Sequence, residues 1–451
     1  MNRRETMRNK DRIIDAAVFI VVLILFSALT LTLFVRQVYG DPGYYHSDMK
    51  AYILEMQGLD SGYSFPYPVF FKLAALIHLV TSPEMAVAIA TMLLNSLSLV
   101  ITKLAFNHLV SCDYGIGRKR DSGSTGTDGG REAGDLMWPV GIVVSLLSVS
   151  LFFISMLYPP DGIYLPGIKF KYLGVFSPNP LHNATYMAAR PFAILAFLWY
   201  GKLLSVYEGG VVFRGGKRGE PLCRIEGKRR GALTDYALFS GFLLIATMTK
   251  PSFTLVLVST AGLIMLYRLF RAGFRNFIPT VQLGLCFIPT FIDLLYQYRG
   301  VFMPANGEEG GVGFCFGEVW THYCDNIPLA VCLAIGFPLL VFVLNFRECR
   351  KNSLFRFSWQ LYLVGFAENF LLYEKGFRKI DFNFSWGYMY GIFFCHFSAL
   401  LLLLRKTVGC RTGNPAKKDR ILLILQWLAY LWHLACGLYY FYGIFRGGHY
   451  Y

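Results

Sequence analysis

Charge is what this chain has least of. Only 16% of its 451 residues are Asp, Glu, Lys or Arg, against about 25% in a soluble domain. That excludes a solvated globular surface over most of its length. Acids are scarcer still, 28 against 43 Lys and Arg, for a net charge of +15. CxxC pairs and Cys/His metal spacings are missing, so the ten cysteines, mostly within apolar runs, read as small core residues. Cys315 and Cys324 share one loop, where pairing is open only in an oxidising compartment. No Gly-rich phosphate loop stands in a nucleotide-binding context. No small-residue cleavage pattern follows the first apolar run, which argues against a removed signal. No convincing internal repeat is present.

What the chain has is apolar length. It is 55% hydrophobic, and its mean hydropathy is +0.45. Runs of about twenty apolar residues recur throughout, the length needed to cross a bilayer. The expectation is an all-α, polytopic membrane protein forming one domain over 1–451, with about eleven transmembrane helices. The spans fall at 13–35, 83–110, 137–158, 187–205, 233–249, 252–270, 277–296, 326–345, 357–373, 386–404 and 421–443. The run 69–80 is too short to cross and is expected to lie at the interface or re-enter. Residues 1–12 form a basic tail, and 111–136 and 206–232 form flexible basic loops rich in Gly. Alternation of the spans puts most Lys and Arg on one side. By the positive-inside rule that side is cytoplasmic, so the N-terminus lies inside and the C-terminus outside. The net charge then faces anionic lipid headgroups, and no nucleic-acid partner is expected.

This orientation gathers the chemically rich loops on the outer face. The first, 36–82, carries Asp41, Tyr45, His46, Asp48 and Tyr52. Asp48 opens a short helical pattern, where a carboxylate serves either as a cap or as a catalytic base. Asp41 beside Pro42-Gly43 is most simply a turn acid. The second outer loop carries Asp161, Lys169, Lys171, His182 and Asn183. Arg190 follows near the start of an apolar span, where a charge is costly and calls for a partner. Lys250 sits at a tight turn before Pro251. The loop before residue 386 brings Glu374, Lys375, Arg378, Asp381 and Asn383, then Trp386. Lys250, Arg378 and Arg190 are candidate phosphate ligands. Tyr45, His46, Tyr52, His182, Asn183, Asn383 and Trp386 are candidate substrate contacts, and Glu374 is a reserve carboxylate. His46 with Asp41 and Asp48 leaves a divalent metal open, a surface histidine being the simpler reading; no other cofactor is called for. Asn183-Ala184-Thr185 and Asn383-Phe384-Ser385 match the glycosylation triplet, which recurs by chance.

One pattern goes further: a first span, an outer loop with Asp48, then Tyr52, Met56 and Gly58, then Tyr67-Pro68 entering a short apolar segment before a true second span. It resembles the integral-membrane glycosyltransferases of the GT-C superfamily over roughly 13–110. The departure is Met49, where many relatives carry a second acid; Asp41 is the candidate for that partner role. The resemblance implies transfer of a sugar from a polyprenyl-phosphate donor to a glycan, lipid or protein acceptor on the outer face, with Asp48 as base. It also implies the plasma membrane of a bacterium or the endoplasmic reticulum of a eukaryote. The chemistry is compatible: a carboxylate takes the acceptor proton, and cations hold the leaving phosphate. The alternatives are a carrier or flippase for a lipid-linked or anionic solute, and an assembly subunit without chemistry.

Overall fold

The structure, a computed structural model, describes residues 3–113, 137–159, 167, 170, 173–210, 231–302, 311–412 and 416–448. Asp161, Lys169, Lys171 and most of the two basic loops lie outside the described residues. The described chain is almost wholly helical. Its helices are α1 (Arg3–Tyr39), α2 (Met49–Met56), α3 (Pro68–His78), α4 (Pro83–Asp113), α5 (Met137–Ser150), α6 (Ala184–Gly210), α7 (Gly231–Thr249), α8 (Ser252–Arg271), α9 (Phe277–Leu285) and α10 (Ile288–Phe302). Then come α11 (Glu318–Thr321), α12 (Ile327–Leu344), α13 (Phe346–Lys351), α14 (Ser353–Leu371), α15 (Ser385–Thr412) and α16 (Lys417–Phe445). Strands β1 (Val312–Phe314) and β2 (Leu372–Glu374) pair antiparallel, with Gly313 opposite Tyr373.

Among the described residues, seven helices are long and apolar enough to cross a membrane, and eight if α9 and α10, bent by 50°, form one span. The protein is therefore an α-helical, multi-pass membrane protein. The apolar segments α3, α5 and α7 are shorter.

Side-chain pairs fix how the helices run. Tyr39 at the end of α1 bonds Ser82 before α4 at 2.9 Å, and Lys103 late in α4 reaches Asp15 early in α1 at 2.8 Å. The two helices are antiparallel. Near the far end, Glu208 of α6 joins Arg268 of α8 and Arg356 of α14, and Lys202 bonds Asp235 at 2.7 Å. The loop after α1, the start of α6, the α7–α8 turn and the start of α15 consequently share the opposite end. The core between is aromatic: Phe197 stacks on Phe394 and Phe357, with ring centroids at 4.0 and 5.0 Å. Segment 69–80 forms α3, with Pro68 in the first turn, where its missing N–H costs nothing. It buries Phe70, Phe71 and Ala74.

One expectation is corrected. The run 137–158 is not a continuous helix, because α5 stops at Ser150 and the chain continues without helix through 151–158. In an apolar interior the released backbone groups need partners. Asn179 Nδ2 donates to the carbonyls of Leu151 and Ile154, both at 2.9 Å. The His433 imidazole bonds Ser155 O at 2.6 Å through Nδ1, and its Nε2 accepts the Phe337 N–H at 3.0 Å beside a kink in α12 at Ile335. Those contacts fix a neutral ring, protonated on Nδ1. Gly437 lets the segment approach, since a Cβ there would lie 1.7 Å from Phe153 O. Both Cys315 and Cys324 are free buried thiols, so the loop pairing weighed from sequence does not form.

His433→Phe should strand a carbonyl and an N–H in the interior, at about 1–3 kcal/mol for each unsatisfied group. Its thermal unfolding midpoint in detergent should drop clearly below that of wild type; an unchanged midpoint would show that other groups satisfy the break.

Candidate functional site

The site is assembled where the ordering of α6 meets the loop after α1. Asn183 Oδ1 accepts the Tyr186 N–H at 2.9 Å and so caps α6. With its carbonyl committed there and to the Thr185 hydroxyl (3.0 Å), the amide points outward and Nδ2 donates to Asp48 Oδ2 at 2.6 Å. Tyr52, one turn along α2, donates to the same oxygen at 3.2 Å. Asp48 stands at the cap position of α2, yet its carboxylate makes no capping bond. It is turned instead toward α6.

Thr185 joins this carboxylate to a cation. Its hydroxyl accepts from Lys250 Nζ at 3.2 Å and lies 3.1 Å from the Tyr52 hydroxyl. Lys250 is buried in the α7–α8 turn, with its ammonium 4.9 Å from the centroid of the Trp386 ring. The Trp386 indole donates to Asn383 Oδ1 at 3.1 Å, and Asn383 Nδ2 donates to Glu374 at 2.7 Å. Glu374 in turn pairs with Arg378 at 3.2 Å, and Asp381 reaches the same guanidinium at 3.5 Å. Between them Phe382 has a φ of +57°, uncommon for a bulky residue, and is held by Tyr323 and Trp320 at 4.9 and 5.7 Å. That reversal leaves Asp381 and Asn383, on either side of it, both in the wall of one chamber.

Burial sets the charges. It raises the Asp48 carboxyl above the ordinary carboxylate range, while Lys250, Tyr52 and Asn183 hold it down in part. Burial brings the Lys250 amine down to about 8, helped by Arg378 and opposed by Asp48 and Glu374. It brings His182 down to about 3, with Lys250 adding to the effect, so this imidazole is neutral at physiological pH. Glu374 is raised by burial against the pull of Arg378 and Asn383.

These groups line a chamber of about 710 Å³ containing His46, Asp48, Tyr52, His182, Asn183 and Asp381. Tyr67, Lys250, Arg378, Asn383 and Trp386 line it too, and the same five line a second cavity of about 280 Å³. That second cavity is a more apolar groove, bounded by Leu255 of α8, Leu294 and Leu295 of α10, and Phe384.

Most sequence-predicted residues therefore converge, and three do not. Asp41 is an exposed turn acid whose Oδ1 accepts the Gly43 N–H at 2.8 Å. Tyr45 packs against Gly40 and Gly447 instead of lining the chamber. Arg190 is buried below it, bonded to Asn179 Oδ1 at 2.9 Å and ringed by Phe152, Tyr186 and Phe393. Glu374 lines the groove, with its carboxylate engaged by Arg378 and Asn383. Asn183 and Asn383 are likewise engaged, so neither side chain is presented as a glycosylation acceptor. Thr185, Tyr67, His322 and Tyr323 were not singled out as site residues from sequence; a lone hydroxyl at a helix start or an aromatic in a Gly-rich loop carries no signal of its own. Among the described residues, no three His, Cys, Asp or Glu side chains gather into a metal site. No family model, curated protein or solved structure matches the chain.

The Lys250 amine, at about 8, loses its proton just above neutrality. If Lys250 holds a phosphate-bearing ligand, affinity for inorganic phosphate should fall as pH rises through that value. Lys250→Met should then bind weakly at every pH; a mutant that retains the wild-type pH profile would show that Lys250 holds no anion.

Proposed function

We propose that this protein is a membrane glycosyltransferase that moves a sugar from a polyprenyl-phosphate donor to an acceptor hydroxyl, with Asp48 as base. The observation that carries the reading is the seam between the two cavities. A polar chamber holds the carboxylate, a more apolar groove adjoins it, and Lys250 and Arg378 line both. A lipid-linked phosphate sugar has those three parts in that order: a tail for the groove, a phosphate for the cations, and a sugar for the chamber. A nucleotide sugar has no tail to place among Leu255, Leu294 and Leu295.

In this reading Lys250 and Arg378 bind the phosphate as it leaves. Trp386 offers a ring face to the sugar at the seam. Asp48, oriented by Asn183 and Tyr52, accepts the proton of the attacking hydroxyl; its burial moves it toward the range a base needs. His182 stays neutral and serves as a wall and hydrogen-bonding group, not as a proton donor. The carrier reading has one feature in its favour, the interrupted α5 and the kinked α12, since carriers use broken helices. Both breaks are filled by Asn179 and His433 and lie outside the chamber lining.

The topology belongs to the same proposal. The alternating helix ends support eleven crossings, counting α5, α7, the α9–α10 pair and α14, with the chamber on the outer face. Reporter fusions after Lys351 should read cytoplasmic, and fusions after Lys375 outside. Both reading the same side would overturn the layout.

Asp48→Asn keeps size and hydrogen bonding but removes the charge. In an assay with labelled polyprenyl-phosphate sugars it should cut turnover by about two to four orders of magnitude, with protein yield and donor binding nearly unchanged. Asp41→Asn, at an exposed turn, should be close to wild type. Loss of activity in Asp41→Asn with retention in Asp48→Asn would move the base to the other acid.

A further inference from the structure

Arg190 has the cost of a catalytic charge without a place in the chamber. It is 1% exposed and has no carboxylate within ion-pair distance among the described residues. A guanidinium in that position is expensive. Its Nη1 donates to Asn179 Oδ1 at 2.9 Å and its Nη2 to Pro178 O at 3.5 Å. Three aromatic faces surround it at 5.2–5.4 Å, which recovers part of the lost hydration. Both polar partners lie in one short segment, 177–183, which precedes α6 and has little regular structure.

That segment carries His182 and Asn183 into the chamber. Asn179 is its anchor: Nδ2 spans two carbonyls of the non-helical stretch after α5, and Oδ1 takes Arg190. Arg190 itself sits on α6, about two turns below the Asn183 cap. The guanidinium therefore closes a loop of chain back onto the helix that the loop caps. A planar fork can bond two acceptors in fixed directions, and a lysine ammonium cannot reproduce both.

We propose that Arg190 is a positioning residue for Asp48, holding the 177–183 segment so that the Asn183 amide reaches the carboxylate. The inference rests on the reading of Asp48 as the working acid, but its consequence can be measured without any sugar donor. The Asn183 bond favours the ionised carboxylate, so losing it raises the pH at which Asp48 titrates.

The test is an infrared titration of the full-length protein in detergent, with Asp48 isolated as the difference between each protein and its Asp48→Asn counterpart. Asn183→Ala should move the Asp48 midpoint to higher pH. Arg190→Met should move it the same way, and adding Arg190→Met to Asn183→Ala should move it no further. Arg190→Lys should fall between wild type and Arg190→Met. If Arg190→Met does not fold, Asn179→Ala breaks the same link from the other end and should give the same shift. A wild-type midpoint in the folded variants, or fully additive shifts in the double mutant, would overturn the proposal. Kinetics with short-chain polyprenyl-phosphate sugars separate it from the parent reading. Positioning predicts lower kcat at unchanged donor KM in Arg190→Met; a raised KM at wild-type kcat would make Arg190 a donor ligand instead. Should Asp48→Asn keep full activity, the catalytic reading fails while the titration result stands.

Discussion

The 2.6 Å hydrogen bond from Asn183 to Asp48 is the contact on which the rest of the site depends. It ties the loop after α1 to the start of α6, and each partner is committed elsewhere. Asn183 can turn its amide outward only because its carbonyl caps α6 and takes the Thr185 hydroxyl. Thr185 is thereby placed to receive Lys250, which brings the α7–α8 turn to the same point. Lys250 lies against Trp386, and Trp386 is held through Asn383 to Glu374 and Arg378. Four separated stretches of chain are joined by this run of polar contacts. In a partly dry site such a network is worth more than its separate bonds, and a member left unpaired costs more.

How much of this was legible in the sequence depends on what kind of signal each residue sends. A scarce acid after an apolar run and a cation at a span end are conspicuous, and Asp48, Lys250 and Arg378 do line the chamber. Arg190 is conspicuous for the same reason, but the fold sets it below the chamber, against Asn179 and three rings, away from a phosphate at the seam. Sequence marks a charge as costly; which neighbours a helix turns it toward is decided by packing. Thr185 carries no charge and blends into its surroundings, so its role appears only once α6 is placed. The end of α5 was illegible for a different reason. Nothing within 142–158 is Gly or Pro, and the partners that make the break tolerable, Asn179, His433 and Gly437, come from elsewhere in the chain. Tertiary contacts override local propensity there.

Under the proposed function, the electrostatics of the seam bear on how the donor phosphate would be taken up. Lys250 and Arg378 face Asp48, Glu374 and Asp381 across the two cavities. Arg378 is already bracketed by Glu374 and Asp381, whereas the Lys250 ammonium, among the described residues, forms no ion pair and meets the Thr185 hydroxyl and the Trp386 ring. With every group ionised, carboxylates outnumber cations, and a phosphate meets a field that does not favour it. The imbalance is relieved if a buried acid takes a proton. Glu374 and Asp381 are both raised by burial and both held ionised by Arg378, and Glu374 is the more buried, so an anion arriving at Arg378 would favour its protonation first. Phosphate binding and protonation of Glu374 are then linked, each favouring the other. Rising pH opposes both that protonation and the protonation of Lys250, so binding weakens from two causes of the same sign. As the proposed base, Asp48 has the opposite requirement, since only its ionised form accepts a proton. Under the proposed glycosyl transfer, a site built this way would bind best on the acid side of its range and turn over best on the alkaline side. Lys250, Tyr52 and Asn183 each lower the pH at which Asp48 ionises and so draw the two requirements closer together.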